Sequence, residues 1–161
     1  MRTDFVMTAS VFDSLIALLD AQGVAYSVLR HEAVYTSEDA ARIRGTSLAS
    51  GAKALICKGD ERFVMFVLPA DRRLASKQIR RSADIRSLRF ARADEVLALT
   101  GLTPGAIPPF GSLFGIPTWC DQGLAEQPVI NFNAGDHAIS VSMNYADFER
   151  VERPQLGHFA E

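Results

Sequence analysis

Hydrophobic and polar positions along the chain follow two periods, one typical of helices and one typical of strands. Apolar residues recur at helical spacing from Val11 to Leu19, after a candidate cap at Thr8 or Ser10. The stretch "TSEDAARIRG" predicts a second, short helix with Thr36 as its cap and Asp39 three residues later, a spacing that resembles a capping box.

Strand-like runs alternate with the helical segments. "AKALICKGDERFVMFVLP" predicts two antiparallel strands whose turn places Gly59 at a positive φ. Further strands are predicted at 24–29, 88–91, 116–120, 129–132 and 138–143, and further helices in the segment after Pro69, at 93–99 and at 145–151. Without strict βαβ alternation, this order predicts an α/β (α+β-like) fold, with a mixed, largely antiparallel sheet surrounded by helices.

Composition narrows the class of protein. With 161 residues and 48% hydrophobic residues, the chain can bury one core, so we expect a single domain over residues 1–161. The apolar runs are too short to span a bilayer and the N-terminus lacks a signal-peptide pattern, so we expect a cytoplasmic protein with no membrane partner. Cys57 and Cys120 lack metal-site spacing and are expected to be packed thiols.

Basic residues concentrate in one segment, although the net charge is only -2. Between Arg72 and Arg92 lie eight of the 17 lysines and arginines, with Asp84 as the only acid. Helical spacing would place Arg73, Lys77, Arg80 and Arg81 on one face, which could bind phosphates. The alternative is an ordinary solvated surface.

Several common chemistries are excluded by their missing motifs. The chain has no GxGxxG, no GxxxxGK[ST] and no GxSxG, and its three histidines do not form a metal-binding motif. We therefore predict no metal, no other cofactor and no covalent nucleophile.

Three local features remain as candidates for a site. Lys53 begins the apolar run "KALIC", where a charge is costly unless it is exposed or lines a cleft. His137 follows a Gly135-Asp136 turn and could be merely a solvated turn residue. The stretch "GLTPGAIPPFG" is either a stiff connector or a backbone cradle for a ligand.

In this order, the motifs resemble the YbaK/ProX family, which is related to the editing domain of bacterial prolyl-tRNA synthetases. The resemblance runs through nearly the whole chain, over "HEAVYTSEDAARIRG", "AKALICKG", "RFVMFVLPADRRL", "GAIPPFG", "IPTWCDQGL" and "VINFNAGDHAISV". It implies the editing-domain fold and a trans-acting deacylase that hydrolyses the ester of a mischarged tRNA, expected to be of the tRNA-Pro type. Ala54 departs from the asparagine of some alanine-specific relatives, which leaves the amino acid open among Ala, Cys, Ser and Thr.

The resemblance also implies roles for individual residues. It places the functional lysine on Lys53 and the substrate loop on Gly105 to Gly111, and it has the terminal ribose hydroxyl of the tRNA help to activate water. Because the two prolines before Phe110 lack N–H groups, we expect the loop donors at Phe110, Gly111 and Ser112. The other predicted substrate-binding residues are Gly105, Pro108, Pro109, Gly135, His137, His31 and Tyr35. The predicted tRNA-binding residues are Arg72, Arg73, Lys77, Arg80 and Arg81.

The predicted substrate is an aminoacyl-tRNA, and a prolyl-tRNA synthetase is a candidate partner. Two other functions stay open at this stage. One is a non-catalytic module that binds a tRNA 3′ end or an aminoacyl-adenylate-like ligand. The other is an esterase or amidase for a small metabolite. The oligomeric state is open as well.

Overall fold

Residues 10–161, which the computed structural model describes, form five α-helices and eight β-strands. The helices are α1 (Val11–Ala21), α2 (Ser37–Arg44), α3 (Ser76–Ala83), α4 (Ala93–Thr100) and α5 (Tyr145–Glu152). The strands are β1 (Tyr26–Arg30), β2 (Ala52–Gly59), β3 (Arg62–Pro69), β4 (Leu88–Phe90), β5 (Thr118–Asp121), β6 (Val129–Asn133), β7 (Ile139–Asn144) and β8 (Gln155–Gly157). The predicted elements are thus present, and β8 is an additional short strand. Three 3₁₀ turns, at Leu48–Ser50, Gly111–Phe114 and Gln122–Glu126, were not predicted either.

The helix ends follow local sequence signals. Ser10 caps α1 by accepting a hydrogen bond from the Asp13 N–H, at 3.0 Å, whereas Thr8 lies outside the described residues. Thr36 caps α2 in the same way through the Asp39 N–H, at 3.1 Å. Gly45 ends α2 in the left-handed conformation, with φ +72°.

No helix formed by residues 10–161 is long and apolar enough to cross a membrane.

The strands form two sheets instead of the single sheet that was predicted. The first sheet has the order β1-β7-β6 and is antiparallel throughout. The second has the order β4-β2-β3-β5-β8, in which β3, β5 and β8 are parallel and the other pairs antiparallel. A single parallel bridge between Gly51 and Asn131 links the two sheets. The predicted mixed, largely antiparallel α/β fold is confirmed.

The β2–β3 turn differs from the prediction in its backbone geometry. The positive φ values belong to Asp60 and Glu61, at +48° and +69°, and not to Gly59. Two consecutive positive φ values are typical of the tight hairpin turns that fit the strand twist. The Asp60 carboxylate stabilises this turn by accepting hydrogen bonds from the Arg86 and Ser87 N–H groups. Gly59 is needed for another reason, because a Cβ there would come within 3.1 Å of Ile85.

The core joins both sheets to the loop that precedes β5. Phe110 is fully buried and makes edge-on contacts with Phe132 and Phe148, at ring distances of 5.9 and 5.3 Å. The loop is therefore anchored in the core by Phe110.

Cys57 and Cys120 are buried free thiols, as predicted, and burial raises the pKa of each to about 12.

Candidate functional site

A small cleft lies between α2, the start of β2 and the end of β6. Its volume is about 160 Å³, and Gly105 and Ile107 of the glycine-proline loop line it together with the exposed ring of Tyr35. The polar and charged side chains around it are those of Thr36, Ser37, Arg44, Lys53, Asn131 and Asn133. The lining contributed by residues 10–161 includes two cations but no carboxylate and no imidazole.

Lys53 is a half-buried cation in this cleft. It lies on β2 opposite Leu68 of β3 and has no ion-pair partner within the described part of the chain. Burial lowers the pKa of its ammonium group, the charge of Arg73 lowers it further, and the carboxylates of Glu38 and Asp71 oppose the shift. A buried charge without a partner favours binding of a negative group.

The first half of the glycine-proline loop lines the cleft. Gly105 has a φ of +92°, which glycine adopts without strain, and its carbonyl accepts a hydrogen bond from the Asn133 amide at 2.7 Å. The Gly135 N–H donates to the Ala106 carbonyl at 2.8 Å and holds the next residue. Ile107 is buried, and its N–H has no partner among residues 10–161. This N–H is therefore not used by the hydrogen bonds that hold the loop.

The second half of the loop does not supply the predicted donors. The Phe110 N–H donates to the Pro108 carbonyl at 2.8 Å, and the Gly111 N–H donates to Thr118 Oγ1 at 2.9 Å. The Ser112 N–H donates to the Glu152 carboxylate at 3.1 Å. Because a 3₁₀ turn begins at Gly111, these groups are used inside the chain, and the prediction that they face the cleft is wrong.

The buried Pro108 and Pro109 also lie outside the cleft lining. They shape the path of the chain to Phe110 and do not line the cavity.

His137 contacts residues that line the cleft. Its ring packs against Tyr35 at a centroid distance of 4.6 Å, and its Nδ1 lies 3.1 Å from the Val34 carbonyl. Since a carbonyl oxygen only accepts, Nδ1 carries the proton, and Nε2 accepts from the Thr103 hydroxyl at 3.0 Å. A Cβ on Gly105 would lie 3.2 Å from this ring. His137 thus positions Tyr35 and the loop without lining the cleft.

Two other predicted residues are also outside the lining. His31 is bound to the Ser140 hydroxyl at 2.8 Å and to the Glu32 carbonyl at 2.7 Å. Gly135 has a φ of +85° and packs against the start of α1. Both residues contact elements around the cleft and do not line its surface.

Arg44, Asn131 and Asn133 were missed by the sequence analysis. Arg44 follows Ala40 by four residues, so helical periodicity places it on the same inward face of α2. Asn131 and Asn133 alternate along β6, which places both on one face of the strand. Polar residues that repeat on a buried face were the signal that could have revealed them.

The basic segment differs from its prediction at Arg73. Because α3 begins at Ser76, Arg73 is not on the helical face, and its backbone instead pairs with Glu161. The five predicted residues are exposed and form no ion pair within residues 10–161; they are Arg72, Arg73, Lys77, Arg80 and Arg81. The charge of Arg73 lowers the pKa of Lys53, and Ala70, just before the segment, lines the cleft.

The described residues thus combine a two-sheet α/β fold with a small, cation-lined cleft and a glycine-proline loop. Residues 31–151 match the family model described as the aminoacyl-tRNA editing domain, and the chain belongs to that family.

Three relatives of known name match between 76% and 98% of the chain. It is 38% identical to the multifunctional Ser/Thr-tRNA deacylase ProXp-y of Escherichia coli K12, over 98% of this chain and 97% of the relative. It is 26% identical to the prolyl-tRNA editing protein ProX of Acetoanaerobium sticklandii, over 86% and 88% of the two chains. A proline–tRNA ligase of Fervidobacterium nodosum is 32% identical over 76% of this chain, which spans only 22% of that enzyme.

A solved structure confirms the fold. The structure of a candidate trans-editing enzyme for prolyl tRNA synthetase superimposes with a TM-score of 0.84, covering 96% of this chain and 99% of the other at 22% identity. At this identity the likeness concerns the fold alone.

We predict that the Thr118 hydroxyl is required for the stability of the loop. It accepts from the Gly111 N–H and donates to Glu152 at 2.6 Å, and Thr118 is only 7% exposed. Thr118→Val leaves a buried N–H unpaired and should lower the free energy of unfolding by about 1–3 kcal/mol, measured by urea denaturation. Thr118→Ser keeps the hydroxyl and should lose less, so equal losses in the two variants would contradict the assignment.

Proposed function

We propose that the chain is a trans-editing deacylase that hydrolyses the ester bond of a tRNA mischarged with a small amino acid. One observation carries the proposal: Lys53, without an ion-pair partner, and the Gly105–Ile107 backbone line the same small cleft in a member of the editing family. The match to ProXp-y over 97% of its length supports action in trans.

The chemistry proposed for the cleft is orientation of the ester and stabilisation of negative charge. An aminoacyl ester is already activated, so no covalent nucleophile is needed. The unpaired Ile107 N–H is suited to donate to the carbonyl oxygen on which charge develops. Lys53 is suited to bind a phosphate or ester oxygen next to it.

Water activation is assigned to the substrate. The cleft lining within the described residues lacks a carboxylate or imidazole that could act as a general base. A hydroxyl of the terminal ribose of the tRNA lies next to the ester in any aminoacyl-tRNA. We propose that this hydroxyl orients the attacking water.

Serine and threonine are the proposed amino acids. The relative named ProXp-y is a Ser/Thr-tRNA deacylase, and the small cleft, of about 160 Å³, has polar side chains in its lining. A synthetase pocket rejects a side chain of similar size poorly, since a methylene is worth only about 1–3 kcal/mol. Removal in trans is a solution to such errors. A prolyl-tRNA synthetase as physical partner stays a prediction.

A deacylation panel tests the proposal. The purified chain is incubated with tRNAs charged with Ala, Ser, Thr, Cys or Pro, and the remaining aminoacyl-tRNA is measured over time. We expect Ser- and Thr-tRNA to be hydrolysed, and Lys53→Ala to abolish the reaction while the thermal unfolding curve stays that of a folded protein.

The panel also separates the alternatives. If no charged tRNA is hydrolysed but an amide-linked analogue binds saturably, the chain is a binding module and the deacylase proposal is wrong. If Lys53→Ala retains full activity, the cleft is not the site of the reaction.

Alanine substitutions at two glycines with similar backbone geometry test the role of the loop. Gly105 and Gly101 have φ values of +92° and +75°, so alanine strains both positions, by about 1–2 kcal/mol. A Cβ at Gly101 meets nothing within 4 Å, whereas at Gly105 it meets His137 at 3.2 Å. We expect comparable losses of stability, but a fall in deacylation kcat/KM of at least about tenfold only for Gly105→Ala. A similar fall for Gly101→Ala would show that strain alone is responsible.

The basic segment is proposed to hold the acceptor stem of the tRNA. Reversing two of its charges, with Arg80→Glu and Arg81→Glu, should raise the KM for charged tRNA and reduce its salt dependence, with kcat unchanged. The control reverses two exposed arginines elsewhere, Arg62 and Arg153, and changes the net charge equally. If both double variants behave alike, or if neither changes KM, the segment does not bind tRNA.

A further inference from the structure

Arg44 is a half-buried cation that none of the roles above uses. It lies in the last turn of α2, lines the cleft, and has no carboxylate ion-pair partner within residues 10–161. Burial lowers the pKa of its guanidinium to about 10, which still leaves the group charged at neutral pH. Such a charge is normally retained only where it binds something.

The hydrogen bonds of Arg44 occupy only one edge of the guanidinium. Its Nε donates to Ser140 Oγ at 2.8 Å and its Nη2 donates to Asn133 Oδ1 at 2.8 Å. A guanidinium has five N–H donors, so three remain without a partner in the described part of the chain. Two of them, one on Nη1 and one on Nη2, form the Nη1/Nη2 edge, which can bind one or two oxygen atoms, and the third is the other N–H of Nη1.

The occupied edge is fixed by further contacts on both sides. The Asn133 amide donates to the Gly105 carbonyl, and this contact fixes its orientation, because Arg44 can only donate to its oxygen. On the other side, His31 Nδ1 donates to the Glu32 carbonyl, so its Nε2 accepts from the Ser140 hydroxyl. The Ser140 oxygen is then left to accept from Arg44. The guanidinium is therefore held in one orientation.

Both cations line one cleft, Lys53 from the start of β2 and Arg44 from the last turn of α2. The carbonyl of Gly105 in the loop is linked to Arg44 through Asn133. An ester bound by Lys53 and the loop would therefore occupy the cleft that Arg44 also lines.

We propose that the unpaired edge of Arg44 binds the side-chain hydroxyl of the aminoacyl group and thereby selects serine and threonine over alanine. The inference rests on the proposed deacylase function and names the residue that sets its specificity. An alanyl group would leave the donors of Arg44 buried without an acceptor. A site built to bind a hydroxyl discriminates strongly against a ligand that lacks it, for this reason.

The test compares Arg44→Met with Arg42→Met. Arg42 lies on the same helix but is exposed and paired with Asp39 at 2.6 Å, so its replacement is a matched control. The kcat/KM is measured for Ser-, Thr- and Ala-charged forms of one tRNA. We expect Arg44→Met to lower the values for Ser and Thr about 10- to 100-fold more than the value for Ala, so that the Ser/Ala ratio collapses.

The ratio separates recognition from a structural role. If Arg44 only holds Asn133 and Ser140 in place, all three substrates will fall together and the proposal is overturned. Arg44→Lys keeps a cation and should restore part of the Ser/Ala preference; a preference as low as that of Arg44→Met would also count against a donor role.

A binding measurement keeps this inference separable from the proposed reaction. Seryl and alanyl groups linked by an amide to 3′-amino-3′-deoxyadenosine cannot be hydrolysed as esters, and calorimetry gives their affinities. We expect the wild-type chain to prefer the seryl compound and Arg44→Met to lose that preference. Absence of turnover with a retained preference would refute the deacylase alone, whereas equal affinities in the wild type would refute the role of Arg44.

Discussion

The cleft depends on the parallel bridge of Gly51 and Asn131, which joins the two sheets beside it. Two residues beyond the bridge on each strand lie Lys53 and Asn133, which therefore face the same side about 7 Å further along. The junction is tight, because a Cβ on Gly51 would lie 2.9 Å from that of Ala70. The backbone register at the bridge therefore sets the distance between the positions of Lys53 and Asn133, and Asn133 is the residue that holds the loop.

The two cations of the cleft have no carboxylate partner within the described residues. Several arginines elsewhere in those residues are paired with acidic groups, as Arg89 is with Glu95 at 2.7 Å. Lys53 and Arg44 lack such partners, although both are partly removed from water. Burial of an unpaired charge costs stability, and clusters of perturbed titratable groups in clefts are typical of functional sites.

Local chemistry could be predicted from the sequence, whereas the directions of backbone groups could not. Thr36 caps α2 through an interaction three residues away, so the sequence alone contains the information. The family, and with it Lys53 and the loop, followed from ordered motifs. The donors of Phe110 and Gly111 were misassigned because Thr118, seven residues from Gly111, takes up one of them and a local turn the other. A list of glycines and prolines does not reveal such partners.

Size cannot make this cleft reject alanine, because a smaller side chain enters any pocket that admits serine. Discrimination has to come from a polar group that the smaller side chain leaves unpaired. Under the proposal Arg44 supplies this group, and its fixed edge also connects, through Asn133, to the carbonyl of Gly105. Recognition of the side chain would then be coupled to the geometry of the loop through two consecutive hydrogen bonds. A hydroxyl bound at the free edge would contact the same guanidinium whose other edge is joined to the loop.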